Sequence, residues 1–589
     1  MSDFSSSLST EQQAVVDAVL GPMSVLACAG SGKTRTAVHR LASIRKRIGE
    51  HRGYVALLSF SNIAVTTFNT SYAELTKGMS SVAAGHRIRI ETFDSFLTTN
   101  ILRPHACRTM GCPRTPYLIT GSEAFLQNKE FKFWAVPASG DAFPVPNDSI
   151  ENVVVRLNNH GAASFHYRLN KSLLHINNGP TVVARLGAVG AYTHGLGQYW
   201  AYRTLVHQPA ILRALARRYP HIVVDEAQDV VSVHQALLEQ LAAAGVHVSL
   251  VGDPCQAIFE FAGADGSYLR KHATRLGVAS HALTRNYRSV PLILAAANAL
   301  SKQHDIAHRA APDNDHGAFF IGYREAQLDQ LVDAFQTTLV SAGLKTDNSA
   351  VVCRARGLAN QLAGVDVAVG QGIVKGLASA AVLRDRRGDY HAAFRTVAAC
   401  VVALLADPPK SLLAQIAQPA RYPEWRLLTR EIWAFTRDAA VGLPASTLVA
   451  DAAWQPALLA RIKNLLARID AMFGLAPAPN IGKKLSKRAL PNAPLITSAD
   501  LAGAQDIRIR IDTVHQVKGE SLDAVLYIAK KSHVQALIAG VDTEVGRIGY
   551  VAVTRAKDLF WLGVPVSALG ELRGPLTALG FREHGGSPH

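Results

Sequence analysis

Lys33 and Thr34 close the stretch VLACAGSGKT, Asp225 and Glu226 stand together in HIVVDEAQD, and Gln256 follows GDP in VSLVGDPCQ. An ammonium, a hydroxyl, two carboxylates and a carboxamide are the groups needed to handle a polyphosphate with a divalent cation. Val25–Cys28 is short, apolar and β-prone, Ala29–Gly32 is a turn of small residues, and Lys33–Leu41 reads as the start of a helix. Strand, glycine-bearing turn and helix would aim the N–H groups of Gly30, Gly32 and Lys33 at a β-phosphate, helped by the positive end of the helix. Lys33 would reach the β/γ oxygens and the Thr34 hydroxyl would ligate Mg²⁺. Ala29, Ser31 and Arg35 complete the candidate nucleotide-binding loop. Ala27 stands where the usual pattern has its first glycine. That position ends the strand, so a small residue with ordinary backbone angles serves there.

The acid pair follows a second apolar strand, Ile222–Val224, at the end where parallel sheets place their chemistry. Asp225 can hold Mg²⁺ through water, and Glu226 can polarise the attacking water as a general base. Gln256, after the strand Val248–Val251, can hydrogen-bond the γ-phosphate or that water. Phe259 and Phe261, just beyond, are either plain core or a platform for unpaired bases, worth about 1–3 kcal/mol per base.

The elements that must position these groups belong to a chain of 589 residues, enough for about three or four domains. Hydrophobic residues make up 48%, which excludes wholesale disorder. The net charge of +16 favours a polyanionic partner, against the blander reading of an inert basic surface. The only metal-like cluster, His105, Cys107 and Cys112, is short of the four ligands of structural zinc. The N-terminus lacks the pattern of a signal peptide, and the longest apolar run, Val397–Ala406, is too short to span a bilayer. A cytoplasmic protein without a membrane partner is expected.

The ordered series of motifs resembles the UvrD/Rep-type superfamily-one DNA helicases. LSTEQQAVV resembles the adenine-reading segment of that family, with Gln12 as the reader. LSFSNIAVTTF and ETFDSF resemble its strand-contacting segments, which implies DNA contacts at Phe60, Asn62, Thr92 and Phe93. DEAQD and GDPCQAIF follow in order. LTRNYRSVPLILAAANAL then brings Tyr287 as the adenine-stacking residue and Arg288 as a γ-phosphate residue. DTVHQVKGESLDAVL resembles motif five, with His515 on DNA and Glu520 near the ribose, and GYVAVTRAKDLFWL supplies the arginine of motif six, Arg555. Cationic fingers such as Arg288 and Arg555 suit a transition state that spreads charge over the transferred phosphoryl group.

The resemblance implies an α/β fold of two RecA-like parallel-sheet core lobes with the ATP site between them, each lobe carrying an inserted subdomain. The expected division is 1–104 and 201–285 for the first core, interrupted by a partly β insertion at 105–200. The second core takes 286–374 and 506–589, interrupted by a mainly helical insertion at 375–505. SIENVVVRLNNHGAASFHYRLNKSLLHI alternates apolar and polar residues and reads as a β-hairpin. The implied activity is an ATP- and Mg²⁺-dependent 3′–5′ helicase or single-strand translocase acting on single-stranded DNA and single/double-strand junctions. A DNA- or nucleotide-sensing ATPase that regulates a separate nuclease partner is the alternative. Three departures stand out. Ala262 replaces the arginine that often follows the second aromatic of motif three, Phe261 replaces a tryptophan, and KGES puts Glu520 one residue early. The KGES form and the β-rich first insertion resemble helicase-like subunits of anti-phage systems such as Gabija.

Overall fold

The computed structural model describes residues 8–585 apart from 50–51, 78–86, 122, 159, 170–171, 261–262, 312–315, 363–369, 410–411, 418, 420–421 and 497–508. Two compact units are present, Met1–Gln327 with Val514–His589, and Leu328–Thr513.

In the first unit, strands β1 (Met23–Ala27), β2 (Val55–Ser59) and β3 (Ile88–Thr92) join β9 (His221–Val224), β10 (His247–Gly252) and β11 (Ala279–Leu283). They form a parallel sheet of order β11-β1-β10-β9-β2-β3. The central strands read as near-continuous apolar runs because helices cover both faces. Alternate residues divide between two cores. Val25, Val55, Leu57, Val223 and Val251 pack with Val15, Val38 and Leu41 of helices α1 (Thr10–Asp17) and α2 (Lys33–Arg47). Ala56, Leu58, Ile222, Val224 and Leu250 point the other way, into a larger core that holds Phe96 and Leu237. Phe96 is 1% exposed, so Phe96→Ala would cost about 3–5 kcal/mol. Helix α3 (Asn62–Thr76) follows β2, its first turn capped by Ser61, whose Oγ accepts from the Ala64 N–H at 3.1 Å. Neighbouring strands β1, β10 and β9 end side by side. Their carboxyl ends therefore bring the loop at 28–33, Asp253–Gln256 and Asp225–Glu226 to one crevice.

The segment read as a hairpin is part of a larger object. Strands β4 (Trp134–Val136), β5 (Phe143–Pro144), β6 (Val153–Leu157), β7 (Ala163–Leu169) and β8 (Ser172–Ile176) form an antiparallel sheet of order β5-β4-β8-β7-β6. Its inner face puts Ala135, Val153, Val155, Phe165, Tyr167 and Ile176 into the larger core. Helix α4 (Gly179–Ala188) begins against this face, and Gly179 is required there, because a Cβ would sit 2.6 Å from Phe165. Helix α5 (His194–His207) leads back towards the main sheet, where α6 (Ser232–Ala243) follows β9. The Leu157 N–H donates to Ser232 Oγ at 3.1 Å, fixing the β6 edge to α6.

A second parallel sheet belongs to the same unit. Strand β12 (Gly317–Tyr323) lies between β16 (Ala556–Pro565) and β17 (Arg582–Glu583), and β15 (Leu522–Ile528) flanks β16. Helix α11 (Glu544–Arg555), buried along most of its length, runs into β16.

The second unit pairs β13 (Ala350–Cys353) with β14 (Arg510–Thr513) in parallel. Most of it is helical. Helices α7 (Gly372–Arg387), α8 (Tyr390–Val402), α9 (Arg426–Arg437) and α10 (Gln455–Phe473) close on Leu377, Leu428, Ile432, Trp454 and Leu465. In the last three of these helices the buried residues fall at the three- and four-residue spacing of a single buried face, whereas Ala380–Arg384 of the first is buried as an unbroken run.

Candidate nucleotide-binding site

The loop between β1 and α2 is held from two sides. Gly30 and Gly32 adopt φ of +73° and +79°, the left-handed region that glycine enters freely. Ser31 Oγ donates to the Cys28 carbonyl at 2.9 Å, and Lys33 Nζ reaches the same oxygen at 3.3 Å. Gln12 Nε2 donates to the Ser31 carbonyl at 3.0 Å, while its Oε1 accepts from the Ser9 N–H at 3.1 Å. On the other side, Asn286 Nδ2 donates to the Ala29 carbonyl at 2.7 Å and the Tyr287 N–H to the Gly30 carbonyl at 2.9 Å. Asn286 Oδ1 accepts from the N–H groups of Arg288 and Ser289, both at 2.8 Å. One asparagine side chain thus ties the loop to the turn that carries Arg288. A Cβ on Gly30 would lie 2.5 Å from Arg288 Cβ, so no larger residue fits there.

The acids sit at the end of β9. Asp225 is 4% exposed. Burial, then the neighbouring Glu226, pushes its carboxyl well above the usual range. Glu226 goes the other way. Burial alone would raise it, but Lys518, Lys33, a hydrogen bond from Gln228 and Arg555 together hold it below the usual range. The two carboxyls are thereby pushed apart, one towards the acid and one towards the base. Glu226 also adopts φ of +51°, a strained conformation for a residue with a Cβ, costing about 1–3 kcal/mol. Gln228 accounts for part of its support, since its Oε1 accepts from the Asp253 N–H at 3.1 Å while its amide holds Glu226.

Facing them, Gln256 is a bridge. Its Nε2 donates to Asp253 Oδ2 at 2.8 Å and its Oε1 accepts from Arg555 Nη2 at 2.8 Å. Arg288 Nη1 donates to the Thr554 carbonyl at 2.8 Å, next to Arg555. Burial, then Arg555, pushes the Arg288 guanidinium down, and burial does the same to Arg555. Two cations held close together are a standing attraction for an anion. The cleft they share is about 830 Å³, and Gln12, Gly30, Gly32, Lys33, Thr34, Arg35, Glu226, Gln256, Tyr287, Arg288 and Arg555 all line it.

Two expected assignments are corrected. Glu520 does not line this cleft; its backbone carbonyl accepts from Arg555 Nη1 at 3.2 Å, and the lining acid from that segment is Asp523, paired with Lys557 at 2.8 Å. Phe93 is 2% exposed, its ring 5.8 Å from Phe60 in a parallel stack and 4.5 Å from His234. A ring buried in that way is core and offers no face to a base.

Asn62 is exposed at the start of α3, and Phe60 is half-buried. Thr92 Oγ1 accepts from the Ser95 N–H at 3.1 Å as a helix cap. Phe259 is half-buried, 5.8 Å from the His515 ring, with Lys518 Nζ 4.7 Å above its own. Phe261, with Ala262, lies outside the described residues. Residues to which sequence reasoning gave no role are Asn286, Gln228, Asp253, Asp523 and Lys518. All stand inside the quoted motifs, but their partners are mostly distant in the chain. Lys518 bonds both carboxylate oxygens of Asp229, at 2.8 and 2.6 Å.

Fold and cleft together define a class: a mixed α/β protein with two RecA-like parallel sheets and a glycine-bearing loop between strand and helix at the cleft. The family described as UvrD/REP helicase N-terminal domain matches residues 8–132 and 151–276. The chain is 26% identical over 312 residues to DNA helicase II of Haemophilus influenzae, a match covering 51% of this chain and 41% of that protein. It is 26% identical over 318 residues to the putative ATP-dependent DNA helicase YjcD of Bacillus subtilis, covering 50% and 38%. It is 25% identical over 302 residues to the ATP-dependent DNA helicase PcrA of Staphylococcus aureus, covering 50% and 40%. Each match spans less than half of the relative's length. Over these residues the chain is similar to the UvrD/Rep type of helicase. Among the described residues, no helix is long and apolar enough to cross a membrane.

Proposed function

We propose that the chain is an ATP-dependent DNA helicase or single-strand translocase that moves 3′ to 5′ and couples hydrolysis to closure of its two sheets over the nucleotide. The observation that supports this most is the gathering of Lys33, Glu226, Arg288 and Arg555 around one cleft, from four separate motifs. The donor set fits a nucleoside triphosphate with a divalent cation. Gly30 and Gly32 turn the chain into the start of α2, where the first helical N–H groups have no partner within the helix, and Asp225 keeps a buried carboxyl at the end of β9. Bound Mg²⁺ would neutralise charge on the phosphate oxygens, with Thr34 and Asp225 as its holders.

In this reading Lys33 leaves the Cys28 carbonyl for the β/γ oxygens. Glu226 accepts a proton from the attacking water, and its lowered affinity for protons keeps it ionised and ready to do so. Gln256 orients that water, and Arg288 and Arg555 stabilise the charge that develops on the transferred group. Tyr287 and Arg35 flank the base, and Gln12 reads it by exchanging one of its internal bonds. Gln256 and Arg555 are bonded to each other, so a change at the phosphate is passed to the second sheet and, through Ile258 and Phe259, towards the strand. Asn62, Phe60, Thr92, Phe259 and His515 are the proposed contacts with DNA.

The test pairs Glu226→Gln with a strand-displacement assay. The variant should bind ATP with near-normal affinity and lose turnover, while the unmutated chain should unwind a duplex carrying a 3′ tail. Wild-type turnover in the variant removes Glu226 as the base. Unwinding of 5′-tailed duplexes alone overturns the polarity, and strong DNA-stimulated hydrolysis with no displacement favours a sensor over a helicase.

A further inference from the structure

The five-stranded inserted sheet has a second face that the core does not use. Along β4 and β6 to β8, the residues alternating with the buried set include Trp134, Arg156, His166, Arg168 and His175. His166 and His175 are direct cross-strand partners with ring centroids 5.6 Å apart, and His166 Nε2 lies 3.0 Å from Ser164 Oγ. Trp134 is 43% exposed although its neighbour Ala135 is fully buried. Among the described residues, the outer positions of these strands carry no carboxylate. Burial, then Arg156 and His175, holds the His166 imidazolium down, as expected where positive groups crowd without an anion. Three rings and two guanidiniums on one face suit a chain of phosphates and bases better than an apolar partner.

The position of Arg156 links this face to the proposed strand path. Its Nη2 lies 3.7 Å from where a Cβ on Gly263 would stand, in the turn that follows Phe259. The β6 edge is fixed to α6 by the Leu157–Ser232 bond, a few residues beyond Asp229 and its partner Lys518. Strands β4 and β5 fall in the interval 133–150, between the two stretches that match the family.

We propose that the outer face of the inserted sheet binds single-stranded DNA beyond Phe259, with Arg156 and Arg168 on phosphates and Trp134, His166 and His175 against bases. This rests on the reading of the chain as a DNA-dependent ATPase. Arg156 then supplies, from a different element, a cation beside Gly263, the residue that follows the alanine at 262 in the sequence.

The experiment compares oligothymidylates of about 8 and about 30 nucleotides, lengths that occupy the core track alone or reach the sheet as well. Arg156 and His175 are both exposed, so Arg156→Gln with His175→Gln should leave the melting curve unchanged. The double variant should bind the long strand about five-fold more weakly, with a salt slope flatter by about 0.7 for each phosphate that is no longer neutralised. Its affinity for the short strand and its DNA-free ATPase should match the unmutated chain. The long strand should also quench indole emission in the unmutated chain more than in Trp134→Phe. Unchanged affinity and slope for the long strand overturn the proposal, as does a weakening confined to duplex DNA or equal quenching in both proteins. If the unmutated chain shows neither DNA binding nor ATP hydrolysis, the functional reading itself has failed, and that is read without any variant.

Discussion

Replacing Lys518 by methionine separates stability from turnover. Lys518 Nζ sits 2.6 Å from Asp229, both side chains less than a tenth exposed, and 4.7 Å from the Phe259 ring. It is also the foremost of the charges that hold Glu226 ionised. Breaking a buried pair costs about 3–5 kcal/mol when the abandoned charge stays charged. Asp229 has an escape, because burial already raises it from 3.8 to about 6 with Lys518 in place. A carboxyl raised in the folded state makes stability fall as pH climbs from the unfolded value to the folded one, and level off above it. In Lys518→Met the folded value moves higher still. The variant should therefore resemble the parent below pH about 6 and lose stability above it, by about 1.4 kcal/mol for each further pH unit until Asp229 ionises. Turnover should shift in parallel but for another reason. Glu226 loses its main stabilising cation, so the acid limb of the rate profile moves to higher pH. Denaturant melts at several pH values and ATPase profiles measure the two effects separately. Adding Asp229→Asn should restore most of the stability and leave the acid limb displaced. If the double variant recovers both together, Lys518 acts on turnover only through folding and the electrostatic argument is wrong.

Other consequences are simpler to test. Arg288→Ala and Arg555→Ala should each lower DNA-stimulated turnover by about 10³–10⁵, and lysine at either position should not rescue it, since the geometry requires a planar donor; stopped-flow phosphate release decides. Asp523→Asn should weaken nucleotide binding through its place on the cleft wall, while Glu520→Gln should not, and titration with a fluorescent nucleotide compares them. His272, buried against Ser24 Oγ at 2.7 Å, is held down to about 4, chiefly by burial. Its contribution to stability is complete above its unfolded value of 6.5 and falls as pH drops through 6.5 towards 4. His272→Gln should flatten that part of the acid-denaturation curve.

The chemistry was legible where it is local. A phosphate loop needs small residues and a lysine in a row, and an acid pair after an apolar strand needs only its own neighbours, so Lys33, Thr34, Asp225 and Glu226 could be named from spacing. What the motifs conceal is who holds whom. Asn286 reaches back 257 residues to Ala29, and Lys518 reaches 289 to Asp229. Neither link has a periodic signature. Glu520 and Asp523 differ by three positions across one turn and strand start, and which of them reaches the cleft wall depends on the turn's geometry rather than on any local pattern. Phe93 misled because an aromatic beside a glycine-poor, polar segment looks the same in sequence whether its ring faces solvent or His234. In the insertion, period-two alternation announced strands, but the pairing of β4 with β5 and β8 depended on a chain return that no local pattern encodes.

The joints around the nucleotide cleft are made of polar atoms. Asn286 to Ala29, Tyr287 to Gly30, Arg555 to Gln256, Arg547 to Ala257 and Lys518 to Asp229 connect the first sheet to the segments that carry the second. Neither apolar core around the first sheet takes in a described residue beyond Leu283. Heat capacity follows exposed apolar surface, with polar surface entering in the opposite sense. Because apolar and polar exposure act in opposite senses, parting these joints should change the heat capacity far less than unfolding does, and a calorimeter should register opening and closing of the cleft accordingly. The logarithm of the ratio of open to closed chains would then run closer to a straight line against reciprocal temperature than unfolding does, wherever the fold itself survives.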